Sequence, residues 1–279
     1  MQRLFALFLT VIFLTACASP TPTAPANVIL TSPDATPTPT VLPPQPSAPA
    51  PTALPTMSAG GLVVMTRQLT EAPNTDTLAF VTVQGDSYDS QSLQRNNPFS
   101  YQWNESGLGM WAMAGEDKLV TAETDSADCK QTWVTVTRNG DEIYRIDSGM
   151  CSPVGDLWGF FAVDGHWVLE TNDYTDADPY QGKLTLDGVL LNDQNNYQQA
   201  FGAQTIGGKL FYFFQRDGKF NAWYDGQELL LGYDQLSHHG CCSEGILNPQ
   251  KWLDQVAFFG VRNGTWYFVQ IGTPASFVQ

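Results

Sequence analysis

The chain has 279 residues, with 28 Asp and Glu against 13 Lys and Arg, and a net charge of −15 at pH 7. Nucleic-acid binding needs clustered cations that neutralise phosphates, so this charge balance argues against DNA or RNA as a partner. Residues 1–57 differ in composition from the rest, and the remainder is long enough for one all-β domain. We expect that domain to be a monomer kept soluble by its acidic surface.

The N-terminus carries an export signal. Met1-Gln2-Arg3 is a short positive region, and the apolar run that follows it is too short to span a bilayer. Leu14-Thr15-Ala16-Cys17 then resembles the lipobox of bacterial lipoproteins at all four positions. The resemblance implies that the signal peptide, residues 1–16, is removed and that diacylglycerol is attached to the Cys17 thiol. Two or three acyl chains give firm attachment, so we expect an exported lipoprotein anchored on the outer face of the cell membrane or in the envelope. The alternative is an ordinary signal peptide without lipid.

A linker follows the anchor cysteine. Residues 18–57 hold 12 of the 18 prolines, in repeats such as Thr36-Pro37-Thr38-Pro39-Thr40. This composition cannot bury apolar surface, and proline favours extended polyproline II geometry. Residues 17–57 are therefore predicted to be a disordered spacer, and the folded domain is predicted to span residues 58–279.

The folded part is predicted to consist of β-structure. The clearest segment is Gly207 to Leu231, in which aromatic-rich runs are separated by Asp217-Gly218 and Asp225-Gly226. Asp-Gly is a strong hairpin signal because Gly adopts positive φ without steric cost and Asp tolerates it. No convincing amphipathic helix is found. The sequence thus predicts an all-β domain.

A repeat of about 40 to 50 residues organises this domain, as in β-propellers. Five similar strands recur, and each is predicted to be the first strand of its unit: 77–81, 118–122, 166–170, 209–213 and 255–259. The stretch from Gly208 through Tyr224 resembles a blade of the WD40-like/TolB type of β-propeller, with Gly-Lys, an apolar strand, an Asp-Gly turn and a strand ending in an aromatic. The resemblance implies about five blades and carries no catalytic residue. A β-sandwich is the alternative fold.

Four cysteines remain after lipidation: Cys129, Cys151, Cys241 and Cys242. An even number in an exported domain predicts two disulfides. We favour Cys129 with Cys151, which leaves a vicinal bridge between Cys241 and Cys242, and cross-pairing of the two pairs stays open.

Two clusters are candidate metal sites. His238 and His239 lie beside the last two cysteines, and imidazole and thiolate groups are ligands of zinc and copper. A disulfide-locked loop is the favoured interpretation. Asp173, Asp176 and Asp178 share one loop and are candidates to hold Ca²⁺, but they lack the Gly and distal Glu of an EF-hand. No other cofactor is expected.

Aromatic residues near turns are the candidate binding groups: Trp103, Trp111, Tyr174, Tyr180, Tyr197 and Tyr233. No Gly-x-Ser-x-Gly, phosphate loop or His-Glu-x-x-His motif occurs. We therefore expect a non-catalytic binding or scaffolding module for a glycan, a peptide or an envelope protein. The alternative is an extracellular hydrolase that acts on polymers through loop carboxylates.

Overall fold

Antiparallel strands make up nearly all of the regular structure. The computed structural model describes residues 57–70, 72–73, 82–83, 86–87, 101–104, 107–152, 155–174, 181–238, 248–251 and 254–277, all within one compact unit, Ala50–Gln279. The strands are β1 (Met57–Ala59), β2 (Leu62–Gln68), β3 (Thr82–Val83), β4 (Asp86–Ser87), β5 (Tyr101–Asn104), β6 (Gly107–Ala114), β7 (Asp117–Asp125), β8 (Thr132–Arg138), β9 (Asp141–Asp147), β10 (Leu157–Val163), β11 (His166–Asp173), β12 (Gln181–Leu186), β13 (Val189–Leu190), β14 (Gln199–Ile206), β15 (Lys209–Arg216), β16 (Lys219–Tyr224), β17 (Gln227–Tyr233), β18 (Gln250–Lys251), β19 (Gln255–Arg262) and β20 (Thr265–Gly272). A five-residue helix, α1 (Leu191–Asn195), and a 3₁₀ turn (Pro274–Phe277) complete the described elements.

The strands form four successive sheets beside a small β3–β4 pair. Their orders are β5-β6-β7-β8-β9, β10-β11-β12-β13, β14-β15-β16-β17 and β18-β19-β20-β2-β1. The fourth sheet joins the two ends of the domain, because β2 pairs with β20 from Val63↔Gly272 to Gln68↔Tyr267. The prediction of an all-β domain is confirmed.

Two-residue turns with positive φ connect many of the neighbouring strands. Asp217 and Gly218, at φ 52° and 70°, join β15 to β16, and Asp225 and Gly226, at φ 45° and 81°, join β16 to β17. Positive φ at both central positions matches the right-handed twist of the flanking strands. The hairpin predicted from Gly207 to Leu231 is therefore present as three consecutive strands.

The repeat marks a different strand from the one expected. The runs 166–170, 209–213 and 255–259 open β11, β15 and β19, which are the second strands of their sheets. The run 118–122 lies in β7, which is the third strand of its sheet and follows β5 and β6. The runs in β11, β15 and β19 are conspicuously apolar because most side chains of these strands are buried on both faces. The run 77–81 lies outside the described residues.

The core lies between successive sheets. Apolar side chains from the first and second sheets form one cluster: Met110, Ala112, Leu119, Val134, Val136, Ile146, Leu157, Phe160, Trp167 and Leu169. A second cluster joins the second and third sheets, around Val168, Leu184 and Tyr212. A third joins the third and fourth sheets and includes Phe213 and Phe258. Each sheet thus shares a core with the next one along the chain.

The predicted signal peptide, Cys17 and nearly all of the linker lie outside the described residues, and β1 begins at Met57. No described helix has both the length and the apolar character needed to cross a membrane.

Candidate functional site

Three segments interlock at one end of the first two sheets: 126–132 between β7 and β8, 148–151 after β9, and 172–174 at the end of β11. We call these segments the loop node. The Thr132 N–H donates to the Gly149 carbonyl at 2.7 Å, and the Ser148 N–H donates to the Thr132 carbonyl at 2.9 Å. Between the two sheets, the Tyr174 N–H donates to the Ser148 carbonyl and the Met150 N–H donates to the Tyr174 carbonyl, both at 3.0 Å. Backbone hydrogen bonds therefore hold loops of two sheets as one unit.

Gly149 is required at the centre of the loop node. Its φ is +81°, and a Cβ at this position would lie 2.4 Å from the Tyr174 carbonyl oxygen. Gly149 also forms a parallel bridge with Tyr174, so the two backbones approach more closely than any side chain allows. The absence of a side chain is what lets the second sheet reach the first here.

Cys129 and Cys151 face each other in the loop node. The Cys151 N–H donates to the Cys129 carbonyl at 3.3 Å. Hydrogen bonding to the Cys129 thiol is the largest cause, ahead of burial, that raises the pKa of the Cys151 thiol to about 12. Both are free thiols in the structure, with Cys129 exposed, so their bridge stays a prediction.

A polar layer lies beneath the loop node, where the core between the first two sheets ends. Glu123 and Asp125 continue the face of β7 that carries buried Leu119, since alternate residues of a strand share a face. The Thr132 hydroxyl donates to Asp125 Oδ1 at 2.7 Å, and the Asp156 backbone N–H donates to Glu123 Oε2 at 2.9 Å. Three carboxyl groups therefore occupy one sheet interface.

Asp156 is the buried member of this layer. Its exposure is 0%, Asn172 Nδ2 donates to its Oδ1 at 3.3 Å, and its Oδ2 has no hydrogen-bond partner among the described residues. Burial, followed by the charge of Glu123, raises the pKa of Asp156 from 3.8 to about 7. Asp156 is thus partly protonated near neutral pH. Sequence analysis did not single it out, because nothing local distinguishes it from the other acids.

Two glutamates tie successive sheets together. Glu123 Oε2 accepts from the backbone N–H groups of Asp156 and Leu157, both at 2.9 Å, at the start of β10. In the next sheet, Glu170 accepts from Gly202 at 2.8 Å and Ala203 at 2.9 Å, at a bulge in β14. The signal that points to this pair is the recurrence of Glu-Thr, followed by Asp or Asn, near the ends of β7 and β11.

The calcium candidates are only partly described. Asp173 forms an ion pair with Lys183, with 2.9 Å between Oδ2 and Nζ, while Asp176 and Asp178 lie outside the described residues. In the part of the chain that the structure describes, no set of three or more His, Cys, Asp or Glu side chains is arranged to hold a metal ion.

His238 is held by the third sheet and the chain beside it. Its ring stacks on Phe201 with 3.4 Å between centroids, Nδ1 donates to the Leu236 carbonyl at 2.8 Å, and Nε2 lies 2.7 Å from Gln199 Oε1. Both ring nitrogens are therefore engaged within the protein. His239, Cys241 and Cys242 lie outside the described residues.

The aromatic candidates divide by exposure. Tyr197 and Tyr233 are 7% and 2% exposed, so they are core residues and cannot present a ring face to a ligand. Tyr197 stacks on Phe214 with 4.3 Å between ring centroids. Trp111 is half-buried in the middle of β6, and Tyr174 is half-buried in the loop node. The Trp103 side chain and all of Tyr180 lie outside the described part.

Comparisons with known proteins give no family for this chain. No family model, no curated protein and no solved structure matches it. Its function must therefore be inferred from its own residues and their geometry.

Proposed function

We propose that this protein is a cell-envelope lipoprotein whose β-domain is a non-catalytic binding or scaffolding module. Lipid on Cys17 anchors it, the Pro- and Thr-rich residues that follow act as a spacer, and the folded domain meets its partner outside the membrane. The partner is a glycan, a peptide or an envelope protein.

The sheet arrangement supports a propeller-like architecture for this module. Four sheets follow one another along the chain, and each shares a core with the next. The pairing of β2 with β20 resembles the way in which a propeller closes its ring, since the N-terminal strand completes the last sheet. We propose about five blades, of which the four sheets supply four.

The loop node is the observation that carries the binding proposal. Binding sites are commonly loops held by a rigid scaffold, and here backbone bonds fix loops of two sheets together. The outer surface of the node is polar and exposed, with Asp128 and Lys130 paired at 3.1 Å. A preorganised polar surface of this kind loses little entropy when it binds a partner.

Burial weighs against the hydrolase alternative. Asp156 has the raised pKa that a general acid needs, but no part of it is exposed, so a polymer in solution cannot reach its carboxyl group. Its pKa follows from burial beside Glu123 and does not require a catalytic role.

The test is a screen of the detergent-solubilised full chain against glycan and peptide arrays, followed by variants. Asp128→Ala with Lys130→Ala removes an exposed ion pair of the loop node. Asp164→Ala with Lys209→Ala removes a matched exposed pair at the opposite end, where the Asp164-Gly165 turn joins β10 to β11. We expect the first variant to lose binding of the array hit and the second to retain it. Equal binding by both variants contradicts the loop node as the site, and cleavage of an arrayed polymer supports the hydrolase.

A further inference from the structure

The two described cysteines lie in two of the three segments of the loop node, which backbone hydrogen bonds hold together. Cys129 is in the β7–β8 turn at φ +54°, and Cys151 follows β9. Their backbones are joined by the 3.3 Å hydrogen bond, and their thiols are in hydrogen-bonding contact. Because Met150, next to Cys151, donates to Tyr174 of the second sheet, this pair lies at the junction of both sheets.

We propose that Cys129 and Cys151 form a reversible dithiol–disulfide pair that locks the loop node when oxidised. The two thiols are in hydrogen-bonding contact and their backbone segments are hydrogen-bonded, so bond formation needs only a small movement of the side chains. This inference is independent of the ligand, because it concerns the rigidity of the loops.

The oxidation is a thiol–disulfide exchange with a disulfide-bearing oxidant, such as an oxidised dithiol oxidoreductase. Cys129 is the exposed thiol and reacts first: its thiolate attacks one sulfur of the oxidant disulfide, and the other sulfur leaves as a thiolate. Cys151 then loses its proton to solvent and attacks the Cys129 sulfur, releasing the second oxidant thiolate. The protein loses two electrons and two protons, and the oxidant becomes two thiols.

The half-buried position of Cys151 gives the two thiols different roles. Its raised pKa keeps it protonated at neutral pH, so it is a poor first nucleophile and acts as the resolving thiol. Once formed, the bridge closes the chain between residues 129 and 151, which restricts the unfolded state and holds the β7–β8 turn against 148–151.

Peptide mapping of the full chain tests this directly. Trypsin cuts after Lys118, Lys130, Arg145 and Lys183, so Cys129 and Cys151 fall in separate peptides, 119–130 and 146–183. Cys241 and Cys242 fall together in a third peptide, 220–251. After equilibration with excess oxidised glutathione and alkylation, we expect a linked 119–130/146–183 species that reduced glutathione separates. Free alkylated thiols at both positions, or links from either peptide to 220–251, overturn the proposal.

Matched variants separate this bridge from the remaining cysteines. The Cys241→Ser/Cys242→Ser double variant should keep the oxidation-dependent rise in melting temperature, about 5 °C or more, whereas Cys129→Ser should lose it. Hydrogen exchange of 148–151 and 172–174 should slow on oxidation in the double variant and stay unchanged in Cys129→Ser. Equal exchange rates in the oxidised and reduced double variant contradict a lock on the loop node.

Discussion

Glu123 and Glu170 make the same contact one sheet apart. Each projects from the second or third strand of its sheet, and each carboxylate accepts two successive backbone N–H groups that lie in, or just before, the first strand of the next sheet, at 2.8 to 2.9 Å. In both cases the recipient strand departs from regular pairing, at Leu157/Gly159 in β10 and at Phe201/Gln204 in β14. The carboxylates thus satisfy N–H groups that the irregular strands leave without ladder partners.

Replacement of Glu170 by Gln should destabilise the domain. Glu170 is 1% exposed, and the amide retains only one acceptor oxygen for the two N–H groups of Gly202 and Ala203. We expect a loss of about 2 to 3 kcal/mol in the free energy of unfolding, measured by urea titration. Glu123→Gln should cost less because Glu123 is more exposed and one oxygen accepts both bonds.

Glu142→Gln is the matched control for this loss. Glu142 is an exposed glutamate whose partner is Arg145, at 2.7 Å. Exposed ion pairs contribute little, so its urea midpoint should stay close to that of the wild type. If the urea midpoint of Glu142→Gln shifts as much as that of Glu170→Gln, loss of the hydrogen bonds to β14 does not explain the destabilisation in Glu170→Gln.

Asp156 should make stability fall as the pH rises. Its pKa is about 7 in the folded state and 3.8 ordinarily, so the folded protein binds more protons than the unfolded chain between these values. The cost of ionising the buried carboxyl is absent near pH 4 and complete above pH 7, where it reaches roughly 4 kcal/mol.

Asp156→Asn should remove that cost, because the amide is neutral at every pH and keeps an oxygen for Asn172. Its stability relative to wild type should therefore increase from pH 4 to pH 8 in urea titrations. Asp128→Asn is the control, since Asp128 is exposed and its hydrogen bonds with Lys130 lower its pKa. If Asp156→Asn has the same pH profile as wild type, Asp156 is not the titrating group.

Gly149→Ala should destabilise the loop node by about 2 to 4 kcal/mol. The added Cβ meets the Tyr174 carbonyl oxygen at 2.4 Å, so the second sheet must shift away. Gly165→Ala is a close control, because φ is +82° there and nothing lies within 4 Å of the added Cβ. It should lose only about 1 kcal/mol, from the left-handed backbone. If thermal unfolding shows equal losses of stability in the two variants, the backbone conformation alone explains them and the contact with the Tyr174 carbonyl does not contribute.

Cys17→Ala should release the protein from membranes. The proposed anchor is the lipid on this thiol, and without it no acyl chain is attached. Fractionation of cells that express wild type and variant measures the effect, with Cys129→Ser as the control that keeps the lipobox. Membrane association that persists in Cys17→Ala rules out lipid anchoring at this residue.

Local chemistry made the hairpins predictable. Asp217-Gly218 and Asp225-Gly226 combine a residue tolerant of positive φ with one that adopts it freely, and both turns are where the sequence placed them. The same short-range logic identified four of the repeated strands. It assigned them to the wrong position in their sheets, because the preceding strands are less conspicuous in sequence.

Contacts between residues that are far apart in the chain could not be predicted from the sequence. The pairing of β2 with β20 joins residues about 200 positions apart, and no local pattern specifies it. Asp156 gives no local sign of burial, and its raised pKa arises only when β7 and β10 meet. The pairing of Cys129 with Cys151 is predicted from the sequence, whereas the hydrogen bonds that connect their loops to the second sheet are not.

The β2–β20 pairing also determines when the fourth sheet can form during biosynthesis. One edge of β2 stays without its partner until β20 (Thr265–Gly272) has been synthesised. A nascent chain or a product truncated before this point presents an unpaired strand edge, which is a template for aggregation. The fourth sheet can therefore form only after β20 has been synthesised, and a product that lacks β20 leaves one edge of β2 exposed.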